Sequence, residues 1–303
     1  MSSRRAGGAG AALDGLVVVD KEAGWTSHDV VAKCRGVFQQ RRAGHAGTLD
    51  PDATGVLLVG LGRVTRVLRY LTALPKTYSA EIVLGVATST LDASGEEAGR
   101  WDMGGVTLDA ARRAASALTG DILQVPPMVS ALKVGGRRLH ELAREGIEVD
   151  RQPRPVTVHR FDLSAGPEAA VLLATVTCSS GTYVRSLAAD LGTALGGGAH
   201  LRRLRRVSVG SFGVDRATPV GGLGAAAVLT PADALRDYPS VTVDAGLAGR
   251  VVHGAVLPGD AFGPAPPGAG PRVVLDGSGA ALAVYEPAAD GGDRLKPSVV
   301  LAG

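Results

Sequence analysis

Residues 44–60, GHAGTLDPDATGVLLVG, decide how the chain is read. A histidine, two threonines, two carboxylates and four glycines crowd into one short run, which closes on an apolar, strand-like VLLVG. Glycine lets backbone approach a ligand or take positive φ. Pro51 drives Asp50 toward extended geometry, so Asp50-Pro51 reads as a turn. Asp50 is therefore expected on a tight loop beside a buried strand, a setting in which functional carboxylates are held. The plainer reading is a turn cap, and Asp52 is read as a turn residue of that kind.

Outward from this loop the chain alternates strands and helices. Leu16 to Val19 is a short strand. A turn at Gly24 leads to a helix capped by Thr26 or Ser27, with Asp29 in its first turn and Val30, Val31, Cys34 and Val37 on one face. Val64 to Leu74 reads as a helix with Val67, Leu68 and Leu71 inward, stopped by Pro75. TYSAEIVLGV reads as a mostly buried strand. Residues 106–118 read as an amphipathic helix. An extended Pro-Pro segment, a glycine turn and another helix follow. VTVHRFDLSA and AAVLLATVTC read as strands. Thr182 to Leu195 turns from strand to helix and ends at three glycines. Beyond residue 215 glycine and alanine rise. From Val241 short strands broken by Gly/Pro clusters read as a small β-barrel.

Composition bounds the class. The 303 residues, 45% hydrophobic and 20% charged, suit a globular chain with a sizeable core. The net charge is only +3, but Arg202, Arg203, Arg205 and Arg206 fall within one short run, LRRLRR. Arg41 with Arg42 and Arg137 with Arg138 form smaller clusters. Such clusters suit a polyanion, the alternative being a solvated basic face. Cys34 and Cys178 stand far apart with no zinc-ligand spacing, so reduced thiols, a cytoplasmic chain and no metal are expected. The first residues lack a signal-peptide core, and no run of about 18 apolar residues is present to span a membrane. No phosphate-binding loop, dinucleotide fingerprint or internal repeat occurs.

GHAGTLDPDATG resembles the catalytic-aspartate motif of the TruB-type pseudouridine synthases. Four further blocks match in the family's order: LVVVDKEAGWTSHDVV (16–31), KTYSAEIVLGVATSTLDASGE (76–96), QVPPMVSALKVGGRRLHELAREGIEV (124–149) and CSSGTYVRSLAADLGTALGGGAHLRRLRRVSVGSF (178–212). The chain departs from the family's pattern at Glu22, where proline is usual, and at Val129 and His140, where tyrosine is usual. Several long ordered blocks are far more specific than one short motif.

The resemblance implies an α+β pseudouridine-synthase fold: a central mixed, mainly antiparallel sheet flanked by helices, plus a small PUA-like C-terminal β-barrel. It divides the chain into a disordered tail (1–13), a catalytic domain (14–237) and a PUA-like RNA-binding domain (238–303). The implied reaction converts uridine-55 in the T-arm of tRNA to pseudouridine by base flipping, without cofactor or metal. No obligate protein partner is implied, and a monomer is expected. Asp50 is implied as the catalytic carboxylate, acting as nucleophile or base, and Arg185 as the cation that holds it bidentately. Tyr78 is implied to stack on the base, its hydroxyl being a candidate acceptor for the C5 proton. Tyr183 and Leu204 would line the uracil site, and His45 would fill the gap left by the flipped base. Asp92 would contact substrate or brace Arg185. Arg202 and Arg206 would meet the RNA backbone. Two other readings are a non-catalytic RNA-binding protein and the guide-RNA-dependent relatives of the family. The intact Asp50, Tyr78 and Arg185 set argues against the first, and a short, self-contained chain against the second.

Overall fold

The computed structural model describes residues 13–130, 132–147, 149–263, 270–288 and 293–302. The expected tail therefore lies almost wholly outside the described residues.

The chain enters on β1 (Gly15–Lys21), which pairs antiparallel with β3 (Thr54–Leu61) along its whole length. Between them run α1 (Ser27–Val37) and the short β2 (Ala43–His45), which folds back onto β3. Thr26 caps α1 in a reciprocal capping box with Asp29. β3 is buried from Gly55 to Leu61, and its continuous apolar run reflects cover on both faces.

The stretch expected as one helix from Val64 is two pieces, a 3-10 turn over Gly62–Val67 and then α2 (Leu68–Ala73). The Asp14 carboxylate takes the Arg63 N–H at 2.6 Å, and Thr65 Oγ1 bonds back to the Gly62 carbonyl at 2.7 Å, which tightens the first turn. β4 (Lys76–Leu84) follows, with Lys76, Tyr78, Ala80, Ile82 and Leu84 inward in period-two order. A small ribbon of β5 (Val86–Thr88) and β6 (Glu97–Arg100) leads to α3 (Leu108–Ala117) and β7 (Gly120–Gln124). A second ribbon, β8 (Lys133–Val134) and β9 (Arg137–Arg138), carries α4 (Leu139–Arg144). Then come β10 (Arg154–Ala165), β11 (Val171–Cys178), α5 (Val184–Ala194) and β12 (Ala199–Val209).

The strands β13 (Phe212–Gly213), β14 (Thr218–Pro219) and β15 (Val228–Leu229) complete an 11-stranded sheet, ordered β14-β1-β3-β12-β4-β11-β10-β7 with β2, β13 and β15 beside it. Only β1–β14 and β3–β12 run parallel, so the sheet is mixed and mainly antiparallel. The β3–β12 contact depends on Gly55. Its φ is +103°, and a Cβ there would lie 2.1 Å from the Arg206 carbonyl oxygen. A glycine alone lets the two strands meet at the foot of the aspartate loop.

After α6 (Pro231–Ala234) a second, five-stranded sheet forms, ordered β16-β18-β19-β20-β17. Its strands are β16 (Ser240–Thr242), β17 (Leu257–Pro258), β18 (Arg272–Leu275), β19 (Ala281–Pro287) and β20 (Arg294–Val300), with α7 (Ala245–Val252) packed on it. This unit is consistent with the PUA-like β-domain expected. Val273, Val284, Val299 and Leu301 share one apolar cluster with Leu16, Val64 and Leu71, so the small sheet is docked on the large one. Arg63 and Arg66 donate to the Leu301 and Val300 carbonyls, each at 2.7 Å, and the Tyr70 hydroxyl donates to Glu286 at 2.8 Å.

Candidate active site

A cavity of about 270 Å³ opens where β4, β12, the N-terminus of α5 and the 47–50 loop meet. Asp50, Tyr78, Tyr183, Arg185 and Leu204 all line it. Residues far apart in sequence are thus brought together by the pairing of β4 with β12 and the packing of α5 on β12.

The Asp50 loop is fixed carbonyl by carbonyl. Arg206 donates to the Gly47 and Thr48 carbonyls at 3.4 and 3.3 Å. Ser27 Oγ donates to the Leu49 carbonyl at 3.1 Å and accepts the Leu49 N–H at 2.9 Å. The Asp50 carbonyl takes the Ala53 N–H, and the Pro51 carbonyl takes both the Gly24 N–H and Lys21 Nζ. Lys21 also reaches the Glu22 and Trp25 carbonyls. Its burial pushes the ammonium down to about 8, against the pull of Asp52 and Asp50.

Arg185 is the hub. Its guanidinium is buried, while the Asp50 side chain is 44% exposed toward the cavity. Nη2 lies 3.0 Å from Asp50 Oδ2 and donates to the Val129 carbonyl at 2.8 Å. Nη1 lies 3.4 Å from Asp92 Oδ2 and donates to the Thr90 carbonyl at 3.1 Å. One planar fork therefore ties three loops together. Asp92 is held in turn, since its Oδ1 accepts from Thr90 Oγ1, Ser94 N–H and Ser94 Oγ. Its carboxylate faces a neighbouring cleft that shares Asp50, Arg185 and Leu204 with the cavity. The departure at Val129 leaves Arg185 untouched, because the contact is to a backbone carbonyl.

Tyr78 projects from β4 opposite Arg206. Burial raises the Tyr78 hydroxyl above its usual range, and the Arg206 cation opposes that rise. Lys76, two residues earlier on the same face, donates to the Thr72 and Leu74 carbonyls and is lowered by burial to about 8. His45 stands apart from the cavity lining. It sits on β2, half-buried, with its ring edge-on to His28 at 5.3 Å. Burial first, and His28 second, lower its affinity for a proton.

The LRRLRR expectation needs correction. Arg206 is 1% exposed and donates to the Val56 carbonyl at 2.7 Å as well as to the loop, so it is no contact for an RNA backbone. Arg202 is committed to Glu81 at 2.8 Å and Glu168 at 3.0 Å. Arg205 pairs with Asp20 at 2.7 Å. Arg203 is 77% exposed, with Glu81 3.3 Å away. The run is not a free basic patch, because β12 crosses the middle of the sheet and is irregular in its pairing with β4 at 201–203 and 206–208. From the first matching block Lys21 reads only as a structural or phosphate-side residue and Ser27 only as an alternative helix cap; their bonds to the Pro51 carbonyl and to the Leu49 backbone come from the fold.

Among the described residues no cluster of three or more His, Cys, Asp or Glu side chains is placed to hold a metal ion. No helix among them is long and apolar enough to cross a membrane.

Two family models cover the chain from residue 35 to 238. One, described as the N-terminal domain of TruB family pseudouridylate synthase, matches residues 35–184, and one described as the tRNA pseudouridylate synthase B C-terminal domain matches residues 185–238. The chain is 44% identical over 305 residues to tRNA pseudouridine synthase B of Arthrobacter sp. (strain FB24), covering 96% of this chain and 97% of the relative. It is 50% identical over 250 residues to tRNA pseudouridine synthase B of Thermobifida fusca (strain YX), covering 80% and 85%. Among solved structures it resembles a Cbf5-Nop10-Gar1 complex with TM-score 0.69 at 27% identity, over 90% of this chain and 78% of that one. A chain of an H/ACA RNP bound to a substrate RNA containing 2′-deoxyuridine shares the fold, with TM-score 0.72 at 23% identity over 95% and 85%.

Proposed function

The chain belongs to the TruB family of pseudouridylate synthases and isomerises uridine in tRNA to pseudouridine, and from that premise we propose that its target is uridine-55 of the T-arm and that Asp50 carries the reaction. In this reaction the N1–C1′ bond of uridine breaks and a C5–C1′ bond forms. A proton leaves C5 and N1 gains one, so atoms and oxidation state balance. The single observation that carries the site assignment is the 3.0 Å contact of Asp50 with the buried Arg185 at the edge of the cavity.

Asp50 is presented on a loop whose carbonyls are all bonded, so its carboxylate meets the ribose or base without rearranging the backbone. Arg185 holds that carboxylate from the protein side and leaves its exposed face to the substrate. Tyr78 stacks on the extruded base and Leu204 and Tyr183 close the walls. Arg206 beside Tyr78 is the cation suited to stabilise negative charge on the phenol oxygen as a proton moves from C5. Asp92 acts through Arg185. His45, on the strand leading to Gly47, is assigned to the RNA side of the site, outside the cavity.

Incubating the purified protein with an unmodified tRNA transcript and mapping pseudouridine by chemical modification and primer extension tests this reading. One product, at uridine-55, is expected, and Asp50→Asn abolishes it while leaving tRNA binding intact. A product at another position overturns the target. Turnover by Asp50→Asn overturns the assignment of Asp50.

A further inference from the structure

We infer that Gln124 is a positioning residue for the isomerisation, setting the place of Tyr183 and, through the same helical turn, of Arg185. The inference rests on the functional reading above. Gln124 ends β7, is buried, and stands 59 residues before Tyr183 in sequence. Its Oε1 accepts the Tyr183 N–H at 2.7 Å and its Nε2 donates to the Tyr183 carbonyl at 3.1 Å. One side chain thus grips both backbone polar groups of one residue. That grip needs a donor and an acceptor on one planar head, which an amide supplies and a carboxylate does not.

The gripped residue matters because of where it sits. Tyr183 is the N-cap of α5 and makes no side-chain cap bond of its own. Its carbonyl also takes the Leu187 N–H at 3.1 Å, so Gln124 holds the first turn of the helix from outside. That turn carries Tyr183 in the cavity wall and Arg185 at Asp50. The chain beyond Gln124 continues the contact. Ser186 Oγ donates to the Val125 carbonyl at 3.0 Å, and Arg185 Nη2 to the Val129 carbonyl at 2.8 Å. Pro126 and Pro127 stiffen the segment between these points, and Arg151 bonds the Pro126 carbonyl at 3.0 Å. Residues 124–129 therefore lie along the first turn of α5 as a stiff strap with Gln124 as its anchor.

The test uses the full chain with Q124A, Q124E and, as a control on the same strand, L123A, whose side chain is exposed. Single-turnover pseudouridine formation, tRNA affinity and thermal midpoint are measured, with rates taken well below each midpoint. Q124A is expected to slow the single-turnover step by about 10²-fold, the scale of a misplaced catalytic group, with tRNA affinity unchanged. Q124E keeps the acceptor for the Tyr183 N–H but turns an oxygen toward the Tyr183 carbonyl, so it too is slow. L123A keeps the wild-type rate. If Q124A fails to fold, Q124E, nearly the same size and with one bond retained, carries the test. A wild-type rate per folded molecule in both variants, or a loss confined to tRNA affinity, overturns the inference. Absence of product from the wild-type protein overturns the functional reading itself, which the same experiment reports separately.

Discussion

Replacing Arg185 separates charge from geometry at this site. The guanidinium makes contacts at 3.0 Å to Asp50, 3.4 Å to Asp92, 3.1 Å to the Thr90 carbonyl and 2.8 Å to the Val129 carbonyl. R185Q removes the cation and leaves two carboxylates and two carbonyls turned toward a neutral amide. One hydrogen bond to a charged group is worth about 1.5–3 kcal/mol, which becomes about 10- to 150-fold in rate if it is made by Asp50 in the transition state. Losing one partner of a buried ion pair costs about 3–5 kcal/mol of stability. The lower end applies here, since Asp50 can recover water on its exposed side. R185K keeps the charge but loses the planar fork, so it cannot hold both carboxylates and both carbonyls at once. R185K is therefore expected to fold more stably than R185Q and yet to stay slow. Urea midpoints report the stability, and single-turnover pseudouridine formation on a tRNA transcript reports the rate. A wild-type rate for R185K would show that charge alone suffices. A wild-type rate for R185Q would break the claim that Arg185 and Asp50 share one site.

Three further outcomes are expected. Tyr78→Phe keeps the stacking ring and loses the hydroxyl beside Arg206, so turnover should fall by about 10²–10⁴-fold, the range of general acid–base catalysis, while tRNA affinity holds; an unchanged rate leaves the hydroxyl without a role. Gly55→Ala should destabilise the fold by about 2 kcal/mol or more from φ +103° alone, with further loss from the 2.1 Å approach to the Arg206 carbonyl, and a wild-type urea midpoint would contradict the β3–β12 packing. Stability should rise between about pH 8 and 9, by about 1 kcal/mol per pH unit for each buried lysine. Lys21 and Lys76 are lowered to about 8 by burial, so in this window the unfolded chain binds more protons than the folded one. Above it the buried cysteines, raised to about 11, work in the opposite sense. A flat or falling midpoint over that window would contradict the burial of the two ammonium groups.

Local patterns were legible in the sequence and long-range pairings were not. The Thr26 cap, the Asp50-Pro51 turn and the inward face of β4 follow from spacing within a few residues. The matching blocks located Asp50, Tyr78 and Arg185, and the sheet places all three at one cavity. The arginines of β12 read together as surface charge because four cations in a short run look alike in one dimension. Their fates diverge only once β12 is flanked by β3 and β4, which bury Arg206 and set Glu81 within reach of Arg202. Gln124 is silent in the sequence for the same reason, since its partner lies 59 residues away and the contact is to backbone. The helix expected from Val64 opens instead as a 3-10 turn whose Arg63 N–H is taken by Asp14, a partner distant in sequence.

The cations around the Asp50 loop explain how a glycine-rich segment can hold the Asp50 carboxylate, proposed here as the catalytic group, still. Lys21 and Arg206 are buried and spend donors on the Pro51, Thr48 and Gly47 carbonyls of the loop, while buried Lys76 holds the Thr72 and Leu74 carbonyls beside the cavity. A carbonyl bonded by a buried cation cannot turn to water, so the loop has no alternative set of partners to move toward. Arg185 differs from these three in holding carboxylates as well as carbonyls, and it is the cation that reaches the exposed Asp50 side chain. The backbone is thereby fixed by one set of charges and the Asp50 carboxylate oriented by another. A site organised this way enters the reaction with its polar groups already aimed, so little reorganisation is left for the transition state to demand.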